Sequence, residues 1–164
     1  MQTDAVDRII QAWARRDPNL DARPLEVVGR LLLCAHHIEL ALVAALQPFA
    51  LSFADFDVIN TLRRHADAQG ANPSDLAQTC LITTGAMTSR LDRLERAGLI
   101  TRTPDPNDGR AVRVHLTKQG ERLAQQSLNA VLAADEAFLE PLDQPQRDTV
   151  AAALKLLLLH SAAT

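Results

Sequence analysis

Residues 105–117 read Asp105-Pro106-Asn107-Asp108-Gly109-Arg110-Ala111-Val112-Arg113-Val114-His115-Leu116-Thr117, and this stretch decides the fold. Pro104, Pro106, Asn107 and Gly109 are turn formers, while Val112, Val114 and Leu116 alternate with Arg113 and His115, the period of two required of a strand with one buried face. With a strand before it over 99–103, the reading is a β-hairpin with a basic tip. A hairpin that exposes arginine beside a short polar helix suits the grip of a phosphate backbone.

Immediately upstream, Asn72-Pro73-Ser74-Asp75 supplies an N-cap, a proline at the first helical position and an acid in the first turn. The short helix it opens gives way at Thr79-Cys80-Leu81-Ile82 to a second cap candidate, Thr83. The next helix, 84–97, turns Met87, Leu91 and Leu94 inward and Thr84, Thr88, Ser89 and Arg93 largely outward, and Gly98 closes it. Two short helices joined tightly and followed by a hairpin predict a winged helix-turn-helix in a mainly α-helical chain.

Further out, helices are predicted over 4–16, where Val6, Ile9, Ile10 and Trp13 share a face, and over 53–68, with Phe56, Ile59 and Leu62 inward. Another covers 24–46, apolar on several sides and expected to be deeply buried. Thr117 caps a long helix to 139, and Asp143 with Gln146 forms a capping-box-like start for a last one reaching 160, striped by Val150, Leu154, Leu157 and Leu158. The organisation is therefore N-terminal helices over 1–52, a DNA-binding winged helix over 53–117 and C-terminal helices over 118–164. The end helices exceed what a winged module needs, and their apolar stripes have to be covered. A homodimer is the expected solution, setting two recognition helices roughly 34–36 Å apart on the halves of a palindromic site.

At 164 residues and 47% hydrophobic content the chain suits one domain, or one domain with oligomerisation arms. No run reaches the roughly 18 consecutive apolar residues of a membrane span, and Asp4 and Asp7 stand where a secretory signal would be basic, so a cytoplasmic location is expected. The net charge of −3 conceals an uneven distribution: residues 83–122 carry eight basic and five acidic side chains, against seven and ten before them and two and five after. A basic segment between acidic ones is the footprint of a DNA-reading surface. The sequence shows no nucleophile in motif context, no phosphate-cradling glycine loop and no metal-ligand spacing, so neither an enzyme nor a cofactor is expected. Cys34 and Cys80 are too few for a disulfide framework or zinc site, and Cys34, beside Leu33 and Ala35, reads as a small core residue. His36 and His37, adjacent on a helix, do not converge on one ion.

The run Gly85-Ala86-Met87-Thr88-Ser89-Arg90-Leu91-Asp92-Arg93-Leu94-Glu95, then Gly98-Leu99-Ile100, Asp108-Gly109-Arg110 and Val114-His115-Leu116-Thr117-Lys118-Gln119-Gly120, resembles the multiple-antibiotic-resistance-regulator (MarR) family of bacterial transcription factors. The resemblance implies that Arg110 lines the minor groove while Asp108 helps hold the wing, and that Thr84, Thr88 and Ser89 face the major groove. Ser74, Arg93 and Arg113 complete the DNA-facing set. A narrower likeness is to the family's urate-responsive branch, whose ligand set is matched by Trp13, Asp57, Arg90 and Arg102. It implies that the tryptophan and the two arginines hold a small aromatic anion and that the aspartate couples it to the recognition helix. The chemistry is coherent, because Trp stacks on a flat ring and Arg offers planar charged donors to its oxygens. The alternatives are a phenolic-acid effector, thiol oxidation at Cys34, or a winged-helix protein-interaction module without DNA binding. Relatives that sense peroxide hold their cysteine with tyrosines, and this chain has no tyrosine.

Overall fold

The computed structural model describes residues 3–65, 70–80, 84–106, 108 and 111–161, the side chain of Thr84 excepted. They form α1 (Ala5–Arg16), α2 (Pro24–Leu46), α3 (Phe53–Arg64), α4 (Pro73–Thr79), α5 (Thr84–Arg96), β1 (Ile100–Pro104), β2 (Val112–Leu116), α6 (Lys118–Leu139) and α7 (Gln144–Ser161). Every helix starts within a residue or so of its sequence expectation. α3, however, stops at Arg64, with His65 as its C-cap, four residues short of the predicted end.

The chain divides into two compact units, Met1–Leu42 and Val43–Thr164. In the first, Asp4 and Asp7 form a capping box that opens α1, with Asp7 N–H donating to Asp4 Oδ1 at 2.8 Å. Arg30 on α2 reaches both carboxylates, at 2.8 and 2.6 Å. Val6 is buried where Gly29 lacks a side chain, since a Cβ there would stand 3.2 Å from its methyls. The predicted apolar face of α1 is only partly covered: Ile9 and Trp13 are 49% and 45% exposed.

The expectation of a deeply buried α2 is wrong for the single chain. Leu46 is its one buried residue among those described, while Leu32 is 67% and Leu40 56% exposed. A helix apolar on several sides needs cover from several sides, and one copy of this chain supplies too little. For the same reason Cys34, read as core, is exposed.

In the second unit α3, α4, α5, the hairpin and the start of α6 enclose a common core. Ile59, Leu62, Leu76, Met87, Leu91, Leu94 and Val114 are all buried there. α5 ends in a Schellman turn, in which Leu99 N–H donates to Leu94 O at 3.0 Å and Gly98 N–H to Glu95 O at 2.9 Å, with Gly98 left-handed at φ +70°. Thr117 then locks the next junction. Its hydroxyl donates to Gly98 O at 2.7 Å and accepts from Gly120 N–H at 3.0 Å, capping α6. A Cβ on Gly120 would overlap the Leu99 carbonyl, so only glycine lets α6 approach the hairpin this closely.

β1 and β2 pair antiparallel from Ile100↔Leu116 to Pro104↔Val112, each a residue later than the sequence suggested at its start. Ala71 adds an isolated bridge to Val114 on the other edge of β2, through N–H···O bonds of 3.0 and 2.9 Å. The predicted Asp143–Gln146 capping box opens α7. Arg147 clasps Glu136 at 2.9 and 2.8 Å and the carbonyls of Leu139 and Leu142 at 3.0 and 3.1 Å, fixing the α6–α7 turn. The α7 stripe of Val150, Leu154, Leu157 and Leu158 is exposed.

Candidate nucleic-acid interface and effector residues

α5 presents Thr88 and Ser89 outward while Met87, Leu91 and Leu94 anchor it in the core. Ser89 Oγ donates to Gly85 O at 3.3 Å, which leaves its oxygen able to accept from a base edge. Ser74 is exposed at the start of α4, its N–H held by Asn72 Oδ1 at 2.8 Å. Asp108 is exposed, and its carbonyl accepts the Ala111 N–H at 2.9 Å, closing the wing turn. Arg110 and the side chain of Thr84 lie outside the described residues.

The remaining arginines have protein partners that the sequence reading missed. Arg93 pairs with Asp55, a buried carboxylate that also accepts from Ser52 Oγ at 2.6 Å as part of the α3 capping box. More than half of the Arg93 side chain stays exposed, so part of its donor set still faces water. Arg113, expected on the outward face of the wing, folds back: its Nε donates to buried Asp105 at 2.5 Å and its Nη1 to Gly70 O at 3.4 Å. The physical reason is common to both, since a carboxylate taken out of water requires a cation beside it. Nothing local announced the long-range ends of these pairs.

Arg102, at the wing root, lies against α5. Its Nη2 stands 2.7 Å from Asp92 Oδ1 and its Nη1 3.4 Å from Glu95 Oε2, while its backbone N–H donates to Glu95 Oε1 at 3.2 Å. Arg90 is the opposite case. Its Nε is the one buried side-chain nitrogen or oxygen without a hydrogen-bond partner among the described residues. Asp57 is half-buried on α3 close to Cys80. Burial pushes the Cys80 thiol above its ordinary range, the Asp57 carboxylate adds to that rise, and the Thr61 hydroxyl at 3.6 Å opposes it. Asp57, Arg90 and Arg102 thus belong to the second unit and Trp13 to the first. Hollows of about 260 and 370 Å³ open in the second unit, one between α3, α4 and Arg113, the other beside the Asp55–Arg93 pair; Asp57, Arg90 and Arg102 line neither.

A family model described as the MarR family matches residues 51–111, from just before α3 into the wing. The chain is 32% identical over 155 residues to the HTH-type transcriptional regulator PecS of Dickeya dadantii, covering 94% of this chain and 93% of that one. The chain belongs to the MarR family. Its architecture agrees with solved MarR-family structures. A cysteine-to-serine mutant of MarR from Escherichia coli, complexed with operator DNA, aligns with a TM-score of 0.70 at 28% identity, covering 95% of this chain and 99% of that one. The Mycobacterium tuberculosis MarR-family protein Rv2887, in complex with salicylic acid, aligns at 0.61 and 30% identity over 79% and 95%. The winged helix-turn-helix reading therefore holds, and the family is one of transcription regulators and not of enzymes.

Proposed function

We propose that this MarR-family chain is a homodimeric repressor that binds a palindromic operator in the cytoplasm and is released from it by a small aromatic anion, with urate as the first candidate. The observation that carries the effector reading is Arg90, a cation on the recognition helix with a buried, unpartnered Nε. An unsatisfied donor of this kind costs on the order of 1–3 kcal/mol, which an anionic acceptor offsets. The match of Trp13, Asp57, Arg90 and Arg102 to the urate-responsive set points the same way. Since Arg90 belongs to the element that reads bases, occupancy by the anion and by DNA compete, and the output is derepression. The exposed apolar faces of α2 and α7 support the dimer.

Ser74, Thr84, Thr88, Ser89, Arg93, Asp108, Arg110 and Arg113 are the proposed DNA-facing residues, with Arg93 and Arg113 also bracing the fold through Asp55 and Asp105. The salicylic acid complex of a relative favours a phenolic acid as the second candidate effector. Fluorescence anisotropy against DNA upstream of its own gene, with urate and salicylate in separate titrations, tests both. Salt-dependent binding released by one of them is expected, and the absence of binding at low salt overturns the repressor reading. Retention of the ligand-induced thermal shift in Trp13→Phe, Arg90→Ala and Arg102→Ala alike overturns the pocket.

A further inference from the structure

We propose that Arg102 is the internal counter-ion of an acidic flank on the recognition helix, Asp92 and Glu95, and does not contact phosphate itself. The inference rests on the reading of α5 and the hairpin as the DNA-facing surface. Asp92 and Glu95, three residues apart on α5, lie on one side of the helix and are 46% and 41% exposed at the side chain. Two carboxylates on a helix that enters a groove lined with phosphate repel DNA unless a cation neutralises them. Two other cations of α5 are engaged elsewhere, Arg93 with Asp55 and Arg96 through its Nε with the Asp92 carbonyl at 3.1 Å, and the Nε of the third, Arg90, is buried.

Arg102 is the cation that meets both acids. Its side chain is three-quarters covered, with Nη2 on Asp92 and also 3.5 Å from Thr88 O, and Nη1 on Glu95. A phosphate-gripping arginine keeps its fork in water, whereas this one is turned into its own protein. Because the Arg102 N–H also donates to Glu95, the same contacts fix the hairpin root against the last two turns of α5. Arg102, Asp92 and Glu95 are positioning residues, which act on DNA through the charge and pose of the recognition helix.

The test is a cycle of operator-binding measurements on the full chain across a salt series, with circular dichroism melting to establish that each variant folds. Arg102→Ala is expected to weaken binding by roughly tenfold or more, the size of one modest like-charge penalty, while leaving the slope of log K against log salt unchanged. Adding Asp92→Asn and Glu95→Gln to Arg102→Ala is expected to recover at least half of the logarithmic loss. The same two changes with Arg102 intact gain less than about twofold, because those charges are already balanced. A slope reduced by about 0.9 in Arg102→Ala, as for a lost phosphate contact, overturns the proposal. So does an equal gain from the two acid changes in both backgrounds. Should Arg102→Ala not fold, the uncharged triple variant Arg102→Gln, Asp92→Asn, Glu95→Gln decides: an unchanged slope supports the counter-ion and a slope lower by about 0.9 rejects it. If the wild type itself does not bind the DNA, the regulator reading fails first, and separately.

Discussion

Helices α5 and α2 make an instructive pair. The 13-residue α5 has mixed composition, yet it seals Met87, Leu91 and Leu94 at 2% exposure or less. The 23-residue α2 is far more apolar and buries Leu46 alone among its described residues. One clean stripe facing one core is enough to bury a helix, whereas apolar character spread round the axis calls for partners on several sides. Patterning, not content, decides what a single chain can hide.

The largest expected effect sharpens that contrast. Leu91→Ala should cost about 2–5 kcal/mol, because the cavity opens in a core closed on every side. For a chain of this size that lowers Tm by roughly 2–4 °C per kcal/mol, read by calorimetry. Leu32→Glu on α2 probes the other helix. It should leave the helical signal in circular dichroism intact but shift the sedimentation mass from two chains to one, with loss of tight operator binding. A two-chain mass in that variant breaks the proposed interface.

Arginine pairs divide in the same way. Removing the buried partner in Asp55→Ala strands the α3 cap and Arg93 together and should cost about 1–3 kcal/mol in urea melts. Arg23→Ala, just before α2, breaks an exposed bridge to Asp21 and should leave the urea midpoint unchanged.

Thiols give the smallest and cheapest comparison. Cys34, exposed on α2, should react with a disulfide reagent well before Cys80, whose thiol is held protonated by burial and by Asp57. The sign of the pH dependence follows. Because the folded chain raises the Cys80 value, its contribution to stability is complete at neutral pH and is lost as pH climbs through that raised value. Cys80→Ala should flatten this alkaline limb of the stability curve, and equal reaction rates for the two cysteines would contradict the burial.

What could be read in advance was local. Asn72 and Thr117 as caps, Gly98 as a helix stop and the Asp143–Gln146 box depend on neighbours within a few residues, and the structure has each of them. The pairing of Arg93 with Asp55 spans 38 positions, and no short pattern encodes it. The burial of α2 was misread because composition records how much apolar surface exists, not which molecule covers it. Among the candidate site residues, Thr88 and Ser89 follow from helical periodicity. Trp13, Asp57, Arg90 and Arg102 became legible as a set only through resemblance, and the commitment of Arg102 to two acids was hidden because the hairpin that delivers it is a tertiary contact.

The stitch between Ala71 and Val114 also sets a clock. Val114 gives both its amide and its carbonyl to Ala71, which makes β2 a central strand at that point instead of an edge. Its proton can reach solvent only when the connector before α4 lifts away from the wing root. Deuterium uptake at Val114 and Ala71 therefore times the opening of the wing root. A change in that rate on adding DNA or effector would report whether either ligand's influence passes through the hairpin base.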